Sequence, residues 1–309
     1  MIDVSIIIIS YNTKEMTIDC IRSVYNQTKG ISFEIIVVDN NSKDGSAQSI
    51  EENYPAVILI KSNDNLGFAS ANNFAAKQAV GRYLLLLNPD TIVLEGAIQK
   101  IFEFANSAPD NLVYGGKTFH SDMTLNPASC WRRQSLWSLF CYSLGLTSLF
   151  RNNGIFDPES YGAWRRDTTR EVGIVTGCFL LIEKKFWDLL KGFDPDFFMY
   201  CEDADLCIRA VKNGARPIIT PDAVIIHYGG ASEKVRADKM IRLFRAKELL
   251  MARHWSPLKA KTGRVMIGFG VCLRAWSTQL LNFFASKQFG ESADRWQEIW
   301  QRREEWHNL

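Results

Sequence analysis

The sequence predicts an α/β protein whose central sheet is mainly parallel and flanked by helices. The first observation is a regular alternation over residues 1–117, where short continuous apolar runs are separated by amphipathic stretches. The second is that a polar loop follows each run. Strands buried on both faces of a parallel sheet have this continuous apolar character. The composition, 47% hydrophobic and 23% charged, is ordinary for a folded globular protein.

The predicted elements follow one another in strand–helix order. The strands are VSIIIIS, FEIIVVD, VILIK and YLLLLN, at residues 4–10, 33–39, 57–61 and 83–88. Helical stretches occupy residues 14–27, 45–54, 67–80 and 95–107. Within an irregular stretch, the apolar segment 130–150 predicts a helical cover on the sheet, with a mobile segment that contacts an amphiphilic substrate as the alternative. Further on, we expect a strand and a helix over 172–190, a helix over 202–214 and two short strands over 215–230.

Charge and cysteine content point to no special partner or compartment beyond the cytoplasm. The net charge is only +2, and the seven cysteines form no CxxC pair, which argues against a disulfide framework and a zinc ribbon. A reducing cytosol is the simplest location for such a chain. The N-terminal stretch MIDVSIIIISYN has no basic region and too short an apolar run for a signal peptide, so it predicts a first strand.

Polar loops mark the predicted ligand-binding edge. Parallel sheets bind ligands at the carboxyl ends of their strands, so the loops at residues 10–12, 39–42, 63–67 and 88–90 should lie on one edge. In the last loop, Pro89 restricts the backbone and so holds the Asp90 carboxylate in a fixed direction. A simple turn is the alternative, because Asn-Pro-Asp is good turn chemistry.

Two further groups of residues suggest chemistry. Glu202, Asp203 and Asp205 crowd the start of a predicted helix, where the helix dipole and capping explain one or two of them. The apolar residues 197–200 directly before them would raise a carboxyl pKa and restrict water, as a general base requires. His227 ends a predicted strand, and beside a cation site it would be a plausible ligand.

Together these segments resemble the family 2 glycosyltransferases, which have the GT-A fold, and most closely their rhamnosyltransferase-like branch. The matching segments occur in the family's order over residues 1–230. They are SIIIISYN (5–12), IIVVDNNSKDGS (35–46), NDNLGFASANN (63–73), LLLLNPDT (84–91), TGCFLLI (176–182), GFDPDFFMYCEDADLCIRA (192–210) and IIHYGG (beginning at 225 and ending at 230). The resemblance implies a GT-A catalytic domain at 1–230, with a nucleotide-sugar-binding half (1–117) and an acceptor-binding half (118–230). A helical C-terminal extension (231–309) follows.

The resemblance also implies a role for each site residue in an inverting transfer of sugar from a nucleoside-diphosphate sugar to a hydroxyl. The nucleotide-sugar would be bound by Ser10, Tyr11, Asn12, Asp39, Asn65, Gly67, Asn88 and Asp90. Asp90 and His227 would hold Mn²⁺ or Mg²⁺ on the diphosphate. Asp203 would be the general base, and Glu202 would shape its site. On the acceptor side we expect Gly177, Cys178 and Asp205, the last mainly supporting the helix N-terminus.

The sequence departs from the family pattern in ways that bear on substrate. The first position of the DxD-type metal motif is Asn88, so one carboxylate remains for the metal. No QxxRW motif of processive members follows His227, which favours a single addition. The donor expected first is dTDP-rhamnose, with a UDP-hexose as the alternative, and the acceptor is a glycan or a lipid-linked hydroxyl in cell-wall or surface polysaccharide synthesis.

The C-terminal third contains an amphipathic helix. Its apolar face carries Phe269, Leu273, Trp276, Leu280 and Phe283, and its polar face carries Arg274, Thr278, Asn282 and Ser286. We expect this helix to pack back on the catalytic domain. The alternative is an interfacial helix at the cytoplasmic face of the membrane, preceded by the basic stretch 232–266. The last segment, ADRWQEIWQRREEWHNL, predicts a terminal helix or a homodimer contact.

Other classes of function fit the sequence less well. A dinucleotide-binding protein would need G-x-G-x-x-G in the first turn, where the sequence has SYNTKE. A non-catalytic nucleotide- or glycan-binding relative would not need all of the candidate site residues, yet the sequence has Asp39, Asp90, Glu202, Asp203 and His227. A metal-dependent phosphohydrolase could use scattered aspartates. Nucleic-acid binding would depend only on the basic C-terminal stretch, which lacks a known binding fold.

Overall fold

The computed structural model describes residues 2–229, 236–284 and 290–307. These fall into two compact units. The first, which we call the sheet unit, comprises Met1–Trp131, Arg165–Phe198 and Glu202–Ser232. The second, the helical unit, comprises Arg132–Trp164, Met199–Cys201 and Glu233–Leu309. Residues 132–164, expected in the acceptor-binding half, therefore group with the C-terminal helices.

Twelve strands and eleven helices are formed by the described residues. The strands are β1 (Val4–Ser10), β2 (Phe33–Asp39), β3 (Ile58–Lys61), β4 (Tyr83–Leu87), β5 (Thr91–Val93), β6 (Val113–Phe119), β7 (Leu125–Asn126), β8 (Cys130–Trp131), β9 (Arg170–Glu171), β10 (Ile174–Val175), β11 (Phe179–Glu183) and β12 (Ile218–His227). The helices are α1 (Lys14–Gln27), α2 (Ser46–Asn53), α3 (Gly67–Ala76), α4 (Ala97–Ser107), α5 (Leu136–Ser143), α6 (Leu146–Leu149), α7 (Lys184–Leu190), α8 (Glu202–Lys212), α9 (Arg236–His254), α10 (Pro257–Phe284) and α11 (Gly290–Gln301).

The sheet has a parallel N-terminal half and a mixed remainder. Its strand order is β3-β2-β1-β4-β11-β6-β12-β5, and β1 to β4 are mutually parallel. Strand β11 joins antiparallel to β4 and β6, and β12 runs parallel to β6. Every residue of β1 and β4 is buried, as expected for central strands covered on both faces. The predicted mainly parallel α/β fold is confirmed.

The parallel register brings the predicted polar loops to the same edge. Ser10 at the end of β1 pairs with Asp39 at the end of β2, and Asp39 pairs in turn with Lys61 of β3. Ile7 of β1 pairs with Leu86 of β4, so the loop after Leu87 begins at nearly the same level. The carboxyl ends of these strands are therefore aligned, because each strand has the same direction and little stagger.

The two short strands expected over 215–230 are a single strand, so this prediction is wrong. Strand β12 is continuous from Ile218 to His227, with a shift of register between Ile219 and Val224 in its pairing with β6. Pro221 lies within the shift and has no backbone N–H to give to a ladder. In the sequence, Pro221 suggests that one strand ends and another begins, but the pairing of β12 with β6 resumes at Val224.

The helical unit has its own core. The buried side chains include Phe244 of α9, Ile267 and Val271 of α10, Ile299 of α11 and Trp306. Helix α5 packs in this unit against α10, where the Ser143 hydroxyl donates to the backbone oxygen of Met266 at 2.6 Å. The apolar segment 130–150 thus contributes helices to the helical unit, and the expected cover on the sheet stays a prediction.

Helix α10 packs by a different face from the one expected. Phe269, Leu273, Trp276, Leu280 and Phe283 are all exposed. The buried face of α10 is therefore not the apolar face that the sequence indicated, while the packing of the helix on the catalytic domain stays a prediction. Ser286, expected on the polar face, and Gly230 lie outside the described residues. No helix within the described ranges combines the length and apolar character needed to cross a bilayer.

Candidate active site

The loops after β1 and β2 are clamped together by side chains. Asn12 adopts a left-handed backbone (φ 53°), donates its backbone N–H to the Ser42 hydroxyl at 3.0 Å, and accepts from the backbone N–H of Lys43 at 2.8 Å. Ser10 is fully buried and its hydroxyl lies 3.0 Å from that of Thr17 in α1. Asn12 thus connects the loop after β1 to the loop after β2, and the Ser10 side chain fixes the end of β1 against α1. Tyr11, between them, is half-buried.

Asp39 is a buried carboxylate with one oxygen left over. Its Oδ2 accepts from the backbone N–H of Ser42 at 3.1 Å. Its Oδ1 is buried and has no hydrogen-bond partner among the described residues. An unpaired buried carboxylate oxygen is costly, so this atom is placed to receive a donor from a ligand. A ribose hydroxyl or a base N–H would supply one.

Asn40 organises the next loop and was not among the predicted site residues. Its Nδ2 donates to Asn65 Oδ1 at 2.9 Å, and its Oδ1 accepts from the backbone N–H of Leu66 at 2.8 Å. Asn65 Oδ1 also accepts from the backbone N–H of Gly67 at 3.0 Å. The available sequence signal was the position of Asn40 directly after Asp39 in the run DNNS.

Gly67 is needed for a close approach within the protein. Its φ is +75°, and a Cβ there would lie 2.5 Å from the backbone oxygen of Phe198. The next backbone N–H, of Phe68, donates to the same oxygen at 2.8 Å. The requirement for glycine therefore comes from Phe198 and from the left-handed backbone. The expected contact of Gly67 with the nucleotide-sugar stays a prediction.

Asn88, Asp90 and His227 come together although His227 is far away in sequence. Asp90 Oδ1 lies 3.4 Å from His227 Nε2, and Asn88 Nδ2 lies 3.3 Å from the same nitrogen. The antiparallel pairing of β12 with β5 sets His227 opposite Thr91, next to Asp90. The Oδ1 of Asn88 and the Nδ1 of His227 are buried without partners among the described residues.

This donor set fits a divalent cation. Carboxylate and amide oxygens suit Mg²⁺ and Mn²⁺, and imidazole suits Mn²⁺ and other transition metals. The unpaired Asn88 oxygen is an additional buried donor without a protein partner. No group of three or more His, Cys, Asp or Glu side chains in the described parts of the chain is arranged to hold a metal alone. The remaining ligands would have to come from a bound substrate.

The environment of His227 favours a positive charge at this point. Burial lowers the pKa of His227, but the neighbouring Cys178 sulfur and the Asp90 carboxylate outweigh it and raise the pKa to about 10. The Asp90 carboxylate beside His227 therefore favours a positive charge at this position. A divalent cation bound between Asp90 and His227 would meet the same electrostatic preference.

The carboxyl pair at the start of α8 forms the second part of the site. Asp203 accepts two backbone N–H groups, from Gly177 to Oδ2 at 3.1 Å and from Ala204 to Oδ1 at 2.7 Å. Burial raises the pKa of Asp203, although these two donors oppose the rise. Burial and the Asp203 charge raise the pKa of Glu202 well above its usual value, and its Oε2 has no partner in the described structure. Glu202 is therefore neutral when Asp203 is ionised.

Residues 177 and 178 connect the two parts. The backbone oxygen of Cys178 accepts from the backbone N–H of Asn88 at 3.2 Å, and the backbone N–H of Gly177 donates to Asp203. A Cβ on Gly177 would lie 3.1 Å from the Phe68 ring, so this segment is tightly packed. The end of β4 and the start of α8 are thus each held by one of two adjacent residues, which directly precede β11.

Asp205 has a structural role in α8. Its carboxylate is buried and accepts from Arg209 Nε at 2.7 Å. Arg209 also donates to the backbone oxygens of Leu190 and Gly192, at 2.7 and 2.8 Å. Asp205 therefore anchors the first turns of α8.

The mainly parallel sheet and the similarity to known proteins place the chain among the GT-A-type glycosyltransferases. The model of the glycosyl transferase family 2 matches residues 5–189, and the chain belongs to this family. A curated relative is the N-acetylglucosaminyl-diphospho-decaprenol L-rhamnosyltransferase of Mycobacterium tuberculosis, 27% identical over 216 residues. That match covers 63% of this chain and 66% of the relative, slightly less than two thirds of its length.

Other similar proteins agree on family and fold. The O-antigen biosynthesis protein RfbC of Myxococcus xanthus is 24% identical over 76% of this chain and 18% of its own. Among solved structures, a Pyrobaculum calidifontis mannosyltransferase in complex with GDP-Man and Mn²⁺ has a TM-score of 0.58 at 17% identity, covering 96% of this chain and 84% of that one. S. aureus TarS has a TM-score of 0.54 at 16% identity, covering 91% and 44%. These structures agree with the GT-A fold, and the predicted rhamnosyltransferase-like membership is confirmed.

Proposed function

We propose that this protein is an inverting glycosyltransferase that moves one sugar from a nucleoside-diphosphate sugar to a hydroxyl of a glycan or lipid-linked acceptor. The carrying observation is the Asp203 carboxylate, which two backbone N–H groups hold beside the neutral Glu202. A base with a raised pKa, fixed in direction and next to a donor site, suits proton abstraction from an alcohol.

The nucleotide part of the donor binds along the loops after β1, β2 and β3. The unpaired Oδ1 of Asp39 receives a hydrogen bond from the base or ribose. The loop at residues 65–67, ordered by Asn40, lies against the nucleotide. Asn12 and Tyr11 close the opposite side.

The diphosphate binds at the end of β4. Asp90 and His227, with the amide oxygen of Asn88, would hold Mn²⁺ or Mg²⁺ there. A bound cation would neutralise the charge that develops on the leaving diphosphate. With one carboxylate in the motif, the protein contributes few charged ligands, so cation and donor should bind together rather than separately.

The transfer itself is a single displacement. The acceptor oxygen gives its proton to Asp203 as it forms a bond to the anomeric carbon, and the bond from that carbon to the diphosphate oxygen breaks. Attack from the face opposite the leaving group inverts the anomeric centre. The rigid connection through Gly177 and Cys178 holds the base near the donor end of the site, which supplies the orientation that such a step requires.

The curated relatives support a choice of substrates. The Mycobacterium tuberculosis enzyme is named a rhamnosyltransferase acting on a diphospho-decaprenol-linked sugar, and the Myxococcus xanthus protein belongs to O-antigen biosynthesis. We therefore propose dTDP-rhamnose as donor, with a UDP-hexose as the alternative. The acceptor is a lipid-linked sugar of surface polysaccharide synthesis, reached from the cytoplasm.

The test is a thermal-shift panel of nucleotide sugars, each measured with Mn²⁺ and with EDTA. We expect one dTDP- or UDP-sugar to raise the melting temperature only when the metal is present. Transfer from that donor to a synthetic lipid-linked acceptor is then followed by NMR of the anomeric centre. Retention of configuration would contradict the mechanism, and donor binding without transfer to any acceptor would favour a non-catalytic relative.

A further inference from the structure

Helix α10 has two apolar faces on opposite sides. The inner face is made of small and aliphatic residues that are all buried, among them Gly263, Ile267, Gly270 and Val271. It packs against α5 and α11 within the helical unit. A Cβ on Gly270 would lie 2.7 Å from the Cα of Ser143 in α5, so this face already has its partner.

The outer face is large, partly aromatic and exposed. Val265, Phe269, Trp276, Leu280 and Phe283 have exposed fractions of 61, 53, 73, 61 and 81%. At ~100° per residue, these five positions lie within an arc of roughly 60°, centred opposite Ile267. Single exposed apolar residues are ordinary, but a continuous stripe along a helix marks a surface that binds something.

The charges of α10 indicate what binds there. The helix carries Lys259, Lys261, Arg264 and Arg274, and its sequence contains no aspartate or glutamate. Arg274 is turned inward and donates to the backbone oxygens of Gly270 and Ser143. Lys261 is exposed and lies roughly 70° from the centre of the outer stripe, by the same helical geometry. Lysine side chains in this position can extend to anionic headgroups while their stems rest on apolar surface.

We propose that the outer face of α10 binds the surface of an anionic phospholipid bilayer, with the helix lying in the plane of the interface. Trp276, Leu280 and Phe283 enter the acyl boundary, and Lys259 and Lys261 contact lipid phosphates. The proposal deepens the proposed function, since a lipid-linked acceptor lies in such a bilayer. It does not depend on which donor is used.

A second copy of the chain is the competing occupant of this face. Two copies meeting through α10 would bring the same cations together, and α10 has no carboxylate to pair with them. Asp294 of α11 lines the groove that also contains Leu280 and Phe283, so repulsion is weakest at that end. An anionic bilayer pairs with the exposed cations Lys259 and Lys261 near the start of the helix, and for this reason we favour it.

The test is co-sedimentation of the full chain with vesicles of phosphatidylcholine, with and without phosphatidylserine, and with no sugar acceptor present. We expect binding that is stronger with phosphatidylserine and weakened by salt. Leu280→Ser should lower the vesicle partition coefficient about tenfold or more. The matched control is Leu189→Ser in α7, since Leu189 is 66% exposed and Leu280 61%, and it should leave the coefficient unchanged. Lys261→Glu should weaken binding to phosphatidylserine vesicles more than to phosphatidylcholine alone.

Several results would overturn the proposal. One is a wild-type chain that stays in the supernatant with both vesicle types, and another is an equal effect of Leu280→Ser and Leu189→Ser. A wild-type dimer in sedimentation velocity that Leu280→Ser converts to a monomer, without vesicle binding, would assign the face to a second copy. Donor binding is measured on the same samples by thermal shift. Loss of vesicle binding with donor binding kept contradicts only this proposal, and absent donor binding contradicts the proposed function instead.

Discussion

Replacing Glu202 with glutamine tests the carboxyl pair on which the proposed chemistry depends. Glu202 is 7% exposed, and burial and the Asp203 charge raise its pKa well above the usual 4.5. The folded chain therefore keeps this proton to a higher pH than the unfolded chain does. Glutamine has nearly the same shape and needs no proton to stay neutral, so Glu202→Gln keeps the packing and removes the titration.

The sign and size of the effect follow from the direction of the shift. Because the folded pKa is raised, the free energy of unfolding falls as the pH rises from 4.5 toward the folded pKa. Each pH unit in that window costs ~1.4 kcal/mol, which amounts to at most ~3.4 kcal/mol by pH 7. Glu202→Gln should therefore be more stable than the wild type at pH 7 by up to this amount. The difference should disappear near pH 4.5.

The assay is urea unfolding at several pH values between 4.5 and 8, combined with initial rates of sugar transfer. Glu202→Gln should keep its transfer rate within about tenfold of the wild type, because the neutral partner is retained. The matched variant is Asp203→Asn, which should lose about 10² to 10⁴ in rate as expected for a general base. Both variants should bind the donor with unchanged thermal shift, since neither residue contacts the nucleotide loops in the proposed site.

Two results would refute this reasoning. If Glu202→Gln is less stable than the wild type at pH 7 by the same amount as at pH 4.5, Glu202 is ionised in the folded chain. If Glu202→Gln loses as much transfer rate as Asp203→Asn, the base cannot be assigned to Asp203 alone.

Three other changes probe separate parts of the sheet unit. Asp90→Ala should abolish the Mn²⁺-dependent part of the thermal shift by the donor, and an unchanged dependence on Mn²⁺ would move the metal site elsewhere. Gly67→Ala should lower the free energy of unfolding by more than ~2 kcal/mol, because the alanine would have a left-handed backbone and its Cβ would clash with the Phe198 oxygen. The control is Gly45→Ala, where the backbone is also left-handed but nothing lies within 4 Å, and it should lower the free energy of unfolding by only ~1 kcal/mol. Equal losses in urea unfolding would exclude the steric contact. Arg209→Met should cost roughly 3 kcal/mol in the same assay by leaving a buried carboxylate without its cation, and a loss under ~1 kcal/mol would mean that solvent replaces it.

Sequence and structure agree where the physical cause is local and repeated. Continuous β-branched and leucine runs predict central strands, because a strand covered on both faces needs apolar side chains at every position. The placement of Asp39, Asn65 and Asp90 on one edge follows from the common direction of parallel strands. The pairing of Asp90 with His227 was expected only from the family resemblance, since nothing local connects β5 to the end of β12.

Hydrogen-bond partners were decided by the tertiary structure. The sequence shows Ser10, Asn40 and Asp205 only as polar residues near the right loops. In the fold, the Ser10 hydroxyl lies within hydrogen-bond distance of Thr17 in α1, and Asp205 accepts from Arg209. Asn40 donates to Asn65 and so orders the loop around it. Each outcome depends on residues brought close by folding, and single-sequence patterns contain no information about such partners.

Helix α10 shows the same division most clearly. The sequence by itself determined that a helix with apolar residues at helical spacing lies there. It did not determine which side of that helix would be covered, because small residues such as Gly263 and Gly270 carry little hydrophobic signal, yet allow the closest backbone approach. Only the packing of α5 and α11 against those small residues placed Phe269, Trp276 and Phe283 on the exposed side.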